Sequence, residues 1–291
     1  MSRVIRFVKG PFGRAALLDM NAPLVTHAHH HCHALIKAGG ADALFQVQGA
    51  PCPLTDSQAV LVNAWEPHAY MHQPHAAATT EILALYIEPV WLEAAMPGSC
   101  HGTRLFTRPV IALTPRALRL ALDLAGCLRE GIVDVDARLE NRLAELMIAV
   151  IAPFYPATRA PCPGVRIAAA RAPGDGRIRR AMAIMQQNVG AGMDMGAVAA
   201  RCGLSRAHFF ELFRRTTSIT PVIYSNELRM EVAFDRLDCS SDPVASVAEG
   251  LGFSAPGHFT RFFVGHIGVT PRAYRQAVNG GASASRSRIS R

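Results

Sequence analysis

The sequence predicts an α+β protein of two domains: a small N-terminal β-barrel carrying a helical hairpin, then an all-α domain built of two helix-turn-helix units. Three observations carry this reading. Short β-rich runs broken by turn residues fill the first hundred residues, the apolar period changes to a helical one from Thr114-Pro115, and the last third of the chain repeats itself. With 291 residues, half of them hydrophobic, the chain is long enough to bury two cores.

In the first segment, Ala43-Leu44-Phe45-Gln46-Val47-Gln48 alternates and stops at Gly49. Ala59-Val60-Leu61-Val62-Asn63 and Ile82-Leu83-Ala84-Leu85-Tyr86-Ile87 are further runs bounded by Pro, Asp and Thr. Strands this short and closely spaced predict a small barrel or sandwich over residues 1–113. Trp65, Tyr70, Tyr86 and Trp91 are candidates for its core or for the wall of an effector cavity. Residues 114–155 then read as two amphipathic helices separated by Gly131. One has a stripe of Leu118, Leu122 and Ala125; the other has Leu139, Leu143, Leu146/Met147 and Val150, with Asp136 available as its N-cap. Pro153 at the end of this segment and then four prolines and three glycines break any regular element, so residues 156–176 are expected to be a linker.

The repeat occupies residues 177–278. Val198-Ala199-Ala200-Arg201-Cys202-Gly203-Leu204-Ser205 is echoed by Val247-Ala248-Glu249-Gly250-Leu251-Gly252-Phe253-Ser254, and each copy continues into an aromatic-rich helix ending at Thr-Pro. Each unit is a short helix, a Gly-containing turn, a Ser placed to cap the next helix, and that helix, the arrangement that presents a recognition helix to a major groove. Between the copies, Thr220-Pro221 supplies an N-cap and a first-turn proline for a helix to about Asp238. Such a rod of roughly 26 Å suits two recognition helices in successive major grooves about 34 Å apart.

With Phe209, Leu212 and Phe213 facing inward, Ala207, Phe210, Glu211 and Arg214 project outward; with Phe259, Phe262 and Phe263 inward, Gly257, Thr260, Arg261 and Val264 do so. Arg261 is the leading base-contact candidate, because arginine grips guanine O6 and N7 together. Glu211 either accepts from cytosine N4 or pairs with a neighbouring Arg. Arg206, Arg214, Arg215 and Arg272 are candidates for phosphate contact.

From about Arg177 to Val278 the chain resembles the DNA-binding domain of the AraC/XylS transcription regulators. The resemblance rests on Pro243 through Ser254, His258-Phe259-Thr260-Arg261-Phe262-Phe263, and Gly268-Val269-Thr270-Pro271-Arg272-Ala273-Tyr274-Arg275. It implies double-stranded DNA as partner, base contacts from the outward positions above, dimerisation through the helical hairpin to a homodimer, and RNA polymerase as a partner if the regulator is an activator. Ser218 departs from it, standing where relatives usually carry Gly, as Gly268 does in the second copy. A left-handed turn there costs Ser roughly 1 kcal/mol.

The stretch His27-Ala28-His29-His30-His31-Cys32-His33 is the chemically distinctive part of the N-terminal half. It resembles the cupin motif His-x-His followed by an acidic ligand and a later histidine: His27 and His29 fit the pair, His68 fits the later position, and His33 stands where the carboxylate is expected. This narrows the barrel to a cupin-like one. His27, His29, His33 and His68 are thus expected to converge. They would hold a divalent transition metal, since imidazole suits zinc, nickel, copper, cobalt and iron alike, or line the pocket of an organic effector. His72 and His75 are read as loop residues.

Net charge is +8, and the repeat segment holds twelve arginines, no lysine and eight acidic residues, a balance that favours a polyanionic partner. The seven cysteines lie singly, with no Cys-x-x-Cys pair, so neither a disulfide framework nor a zinc ribbon is expected. With no secretory segment at the N-terminus and no apolar run of about twenty residues, the expectation is a cytoplasmic protein without a membrane partner. Residues 279–291, Ser- and Gly-rich with Arg286, Arg288 and Arg291, read as a disordered basic tail. The function expected is a non-enzymatic DNA-binding regulator controlled by a small molecule or metal in the barrel. Two alternatives stand beside it: a metal-dependent cupin enzyme fused to a DNA-binding module, and a metal or pH sensor whose histidines are themselves the effector site.

Overall fold

The computed structural model describes residues 2–71, 79–95, 105–131, 137–151, 174–190 and 193–286. The N-terminal part is built from β1 (Arg3–Gly10), β2 (Gly13–Met20), β3 (Cys32–Gly40), β4 (Ala43–Val47), β5 (Ala50–Leu54), β6 (Gln58–Val62), β7 (His68–Met71) and β8 (Thr80–Ile87). A short helix α1 (Pro89–Ala95) and strand β9 (Val110–Ala112) follow, then the hairpin α2 (Pro115–Glu130) and α3 (Ala137–Ile151). The C-terminal part is helical: α4 (Gly176–Gln187), α5 (Met195–Arg201), α6 (Arg206–Thr217), α7 (Pro221–Cys239), α8 (Val244–Gly250), α9 (Pro256–Ile267) and α10 (Pro271–Arg286). Among the described residues no helix is long and apolar enough to cross a membrane.

The strands form two antiparallel sheets, ordered β1-β2-β8-β3-β6-β9 and β5-β4-β7. Among the described residues no continuous ladder joins the two, so the closed barrel expected from the sequence is represented by two packed sheets linked at the isolated bridge between His27 and His68. Both faces of the larger sheet are covered. Ala15, Leu17, Leu83 and Leu85 share a core with α2 and α3, while Ala16, Leu18, Ile82 and Ala84 share one with the smaller sheet and the C-terminal helices. Double coverage explains why Ala15-Ala16-Leu17-Leu18 at the centre of β2 is apolar on both faces rather than alternating. Pro51 and Pro53 are accommodated because β5 is an edge strand.

The hairpin meets the sheet through Ala117, Ala121, Leu124, Ala125 and Leu128 of α2 and through Leu139, Leu143, Leu146, Met147 and Val150 of α3. The α3 stripe is the expected one; of the α2 stripe expected from Leu118, Leu122 and Ala125, Ala125 alone is buried. Leu122 is exposed and Leu118 only half-buried, because the helix turns its alanines to the sheet, which lets the backbone approach closely. Thr114 caps α2, and Gly131 ends it in the left-handed region. Asp136 and most of the expected linker lie outside the described residues, as do His72 and His75.

Two further expectations change in the C-terminal part. Ser205 does cap α6, accepting from the His208 N–H, but Ser254 does not cap α9, where Ala255 occupies the cap position without a side-chain bond and Pro256 starts the helix. One extra residue separates Ser254 from His258, so the serine falls one position too early. The C-terminal helix also runs to Arg286, eight residues into the stretch expected to be disordered. Its first half packs on β1 and α7, and a helix already nucleated propagates at one hydrogen bond per added residue.

Candidate nucleic-acid interface and histidine cluster

In α6, Phe209, Leu212 and Phe213 are buried, while Arg206, Ala207, Glu211, Arg214 and Arg215 are exposed. Phe210 is half-buried: its ring meets Phe209 at 5.9 Å and is roofed by the Arg206 guanidinium at 5.5 Å, so part of its surface serves packing. In α9, Phe259 and Phe263 are buried and Phe262 partly so, with Gly257 and Arg261 exposed, Thr260 half-exposed, and Arg272 exposed at the start of α10. The rod between the two units is α7, capped by Thr220 through the Ile223 N–H at 3.2 Å. Its 19 residues span about 28 Å. Every candidate contact side chain therefore has surface to offer, and none of them is enclosed in a core.

The four expected histidines are brought together and buried: His27, His29, His33 and His68 are all less than a tenth exposed. Their rings pack at centroid distances of 4.3 Å (His27 to His68), 4.9 Å (His29 to His68), 5.1 Å (His29 to His33) and 5.4 Å (His33 to His68). Three of the rings are held by carbonyls. His27 Nδ1 donates to the Val25 carbonyl at 2.8 Å, His29 Nδ1 to that of His31 at 3.1 Å, and His68 Nδ1 to that of Glu66 at 2.9 Å. A carbonyl only accepts, so each Nδ1 carries the proton and each Nε2 keeps its lone pair. One ligand atom from each of these three lies within 4.8 Å of the others. His33 stands behind them, stacked on Tyr86 at 4.1 Å with its Nδ1 3.4 Å from His68 Nε2.

Burial pushes His27, His29 and His33 well below the ordinary histidine range, helped by the neighbouring imidazoles, and lowers His68 to about 4. All four are neutral at pH 7, the state in which imidazole binds metal. The Nε2 atoms of His29 and His33 are buried without a hydrogen-bond partner. Of the four candidate wall aromatics, Tyr86 alone stacks on the cluster. Tyr70 packs on Phe45, Trp91 on Phe12, and Trp65 on Tyr224 of the helical part.

The cluster faces the helical part directly. The Val25 N–H donates to the Gly265 carbonyl of α9 at 2.8 Å, and His266 lies 6.1 Å from the His27 ring. An open cleft of about 380 Å³, lined by Thr26, Gln46, Gln48, His68 and Ser218, leads to it between the two parts.

Sequence reasoning passed over His30 and His31, which turn away from their neighbours to a second set of charges. His31 Nε2 is 3.1 Å from Glu88 Oε1, and His30 lies 3.5 Å from both Glu88 and Glu227. Arg14 of β2, itself buried, holds Glu231 bidentately at 2.7 and 2.9 Å. Burial raises Glu227 to about 7; His30 rises to about 10, the carboxylates of Glu227 and Glu88 outweighing the opposing effect of burial. Glu227 and Glu231 are four apart on α7, a helical spacing that was visible in the sequence, but their partners were not.

Residues 198–277 match the helix-turn-helix domain family. The MmsAB operon regulatory protein of Pseudomonas aeruginosa is 34% identical over 99 residues, covering 34% of this chain and 32% of the relative. The chain thus spans about a third of that relative's length. The HTH-type transcriptional activator RhaR of Yersinia pestis is 23% identical over 257 residues, covering 87% of this chain and 84% of the relative. Two crystal structures of ToxT from Vibrio cholerae share the fold: an apo form with TM-score 0.55 at 10% identity, covering 96% of this chain and 97% of ToxT, and an unsaturated fatty acid-bound form with TM-score 0.54 at 9% identity, covering 96% of each.

Proposed function

We propose, from the premise that the chain belongs to the AraC/XylS family of transcription regulators, that it is a one-component DNA-binding regulator whose N-terminal part carries the effector site in its histidine cluster. Two helix-turn-helix units on one rigid rod are the observation that carries the reading. Helices α6 and α9 enter successive major grooves on one face of the duplex, with Arg261 reading guanine, Gly257, Thr260, Ala207, Phe210 and Glu211 at base edges, and Arg206, Arg214, Arg215 and Arg272 on phosphates. The partner is double-stranded DNA. The protein acts as a cytoplasmic homodimer paired through the α2–α3 hairpin, whose outer face exposes Leu122 and Ile148, and it engages RNA polymerase if it activates.

The effector bound in the cupin-like fold is a divalent first-row transition ion held by Nε2 of His27, His29 and His68. Three carbonyl-fixed tautomers, with one ligand atom of each within 4.8 Å of the others, support this choice over an organic small molecule. Because the loop carrying these histidines is bonded to α9 through Val25 and Gly265, occupancy of the cluster bears on the second recognition helix. The two recognition helices are tested by fluorescence anisotropy on operator DNA selected with the full-length protein. Binding should weaken steeply with salt, as phosphate contacts require, and Arg261→Ala should lose discrimination at one base pair. Metal analysis of the purified protein tests the effector: a His68→Ala variant that retains full metal would remove this reading, and metal-free protein whose operator affinity responds to organic extracts would return it to a small molecule.

A further inference from the structure

His30 and His31 belong to the same loop as the first cluster but face the opposite way, toward α7. We infer that His30, His31, Glu227 and Glu231 form a second divalent transition-metal site, one that ties the N-terminal β part to the rod carrying both helix-turn-helix units.

One ligand atom from each of these four residues lies within 4.8 Å of all the others. Tetrahedral zinc, with ligands at about 2.0–2.2 Å, needs its ligand atoms roughly 3.3 Å apart, a distance that side-chain rotation closes. The ligand types suit such an ion: two imidazoles and two carboxylates, the carboxylates on one helical face at i and i+4.

One atom points to a missing partner. His31 Nδ1 is buried with no hydrogen bond, on a side chain only 2% exposed, while Glu227 Oε1 beside it is met by His30 Nδ1 at 3.5 Å, longer than a hydrogen bond of full strength. A buried imidazole nitrogen without a partner is costly, and a cation at this point would satisfy it.

Charge leads the same way. Three carboxylates, Glu88, Glu227 and Glu231, gather here, Glu231 bound to the Arg14 guanidinium and the other two facing His30, so that a divalent ion on the imidazoles would take the place of the proton that His30 carries. Glu231 need not leave Arg14 to take part, since a carboxylate offers about four lone-pair directions. His30 and Glu88, each about a third exposed, leave an entrance from solvent.

The test uses full-length protein stripped with a chelator and titrated with Co²⁺, read by its visible absorption, and with Zn²⁺, read by thermal melting. Wild type should bind one equivalent with mixed nitrogen and oxygen character that His68→Ala leaves in place. Glu227→Gln, close in shape, should weaken that equivalent at least tenfold and remove the part of the zinc-dependent rise in Tm that His68→Ala keeps. If Glu227→Gln fails to fold by circular dichroism, the more exposed His30→Asn takes its place with the same expectation. Wild-type protein that binds no cobalt at 100-micromolar metal overturns the site. So does a wild type whose every equivalent is lost on His68→Ala and kept on Glu227→Gln.

Discussion

The two helix-turn-helix units are near copies in sequence and opposites in surroundings. The first is built on a core of its own, in which Ile178, Met185, Val198, Phe209, Phe213 and Tyr224 pack together and, among the described residues, the β part contributes only Ala28 and the partly buried Trp65. The second has no separate core. Phe259, Phe263, Val269 and Tyr274 belong to one continuous cluster with Phe7, Leu18, Met20 and Ile82, and the Phe7 and Tyr274 rings meet edge to face at 4.9 Å. The residue that ends each recognition helix shows the same contrast. Ser218 and Gly268 both adopt the left-handed conformation, but Ser218 is exposed beside the cleft while Gly268 is covered by Met20 and Ser2, whose side chains come within 3.0 and 3.2 Å of where a Cβ would sit. The repeat supplies two equivalent readers; docking makes one of them answerable to the N-terminal part.

Removing the N-terminal part should break the symmetry most visibly. In a fragment of residues 174–291, amide exchange should show the first unit retaining protection while the second loses roughly 2–5 kcal/mol, the scale of large apolar side chains left uncovered. Equal protection in both units would mean that the shared core contributes nothing to the second.

Acid should act on the same contact. His68 is lowered to about 4 in the folded protein, against about 6.5 unfolded, so between those values the unfolded chain binds more protons and stability falls as pH drops. For this one residue the loss is about 3 kcal/mol, complete near pH 4 and absent above pH 7. Urea melts at pH 7 and pH 4.5 would measure it; an unchanged midpoint would mean that the cluster does not stay neutral.

The two helix ends should respond with opposite signs. Gly268→Ala is expected to cost about 2–3 kcal/mol through the left-handed backbone and the crowding by Met20 and Ser2. Arg261→Ala should leave folding untouched and lose about 1–3 kcal/mol of discrimination at one base pair; a uniform loss over all sequences would make Arg261 a phosphate contact. The smallest effect is Ser218→Gly, a gain of up to about 1 kcal/mol by relief of the left-handed serine, read from thermal melts.

Much of this was legible in the residues because it is local. The 3.6 period placed Phe209, Leu212 and Phe213 inward and the arginines outward, and Thr220-Pro221 announced the start of α7. The His-x-His spacing with His68 singled out histidines that the structure brings together, although His27 and His29 lie in the loop before β3 and the isolated bridge between His27 and His68, not a strand's alternation, joins them. Errors arose where a local signal had a competitor. The α2 stripe was placed on Leu118, Leu122 and Ala125, yet beside Ala125 the sheet accepted Ala117, Ala121, Leu124 and Leu128. Ser254 looked like a cap, until one added residue and Pro256 moved the helix start.

What the sequence by itself determined is the kind of element at each place and the chemistry each helix can present: the duplicated reader, the rod between its copies and the histidine-rich loop. Only the tertiary structure decided which histidines work together, parting His30 and His31 from His27, His29 and His33 by the direction in which successive side chains leave the loop. It alone joined Arg14 to Glu231, 217 residues away, and merged the second reader with the β core. Period, caps and turns are set by neighbours within a few residues, whereas a buried ion pair or a shared core depends on surfaces that meet only once the chain has folded.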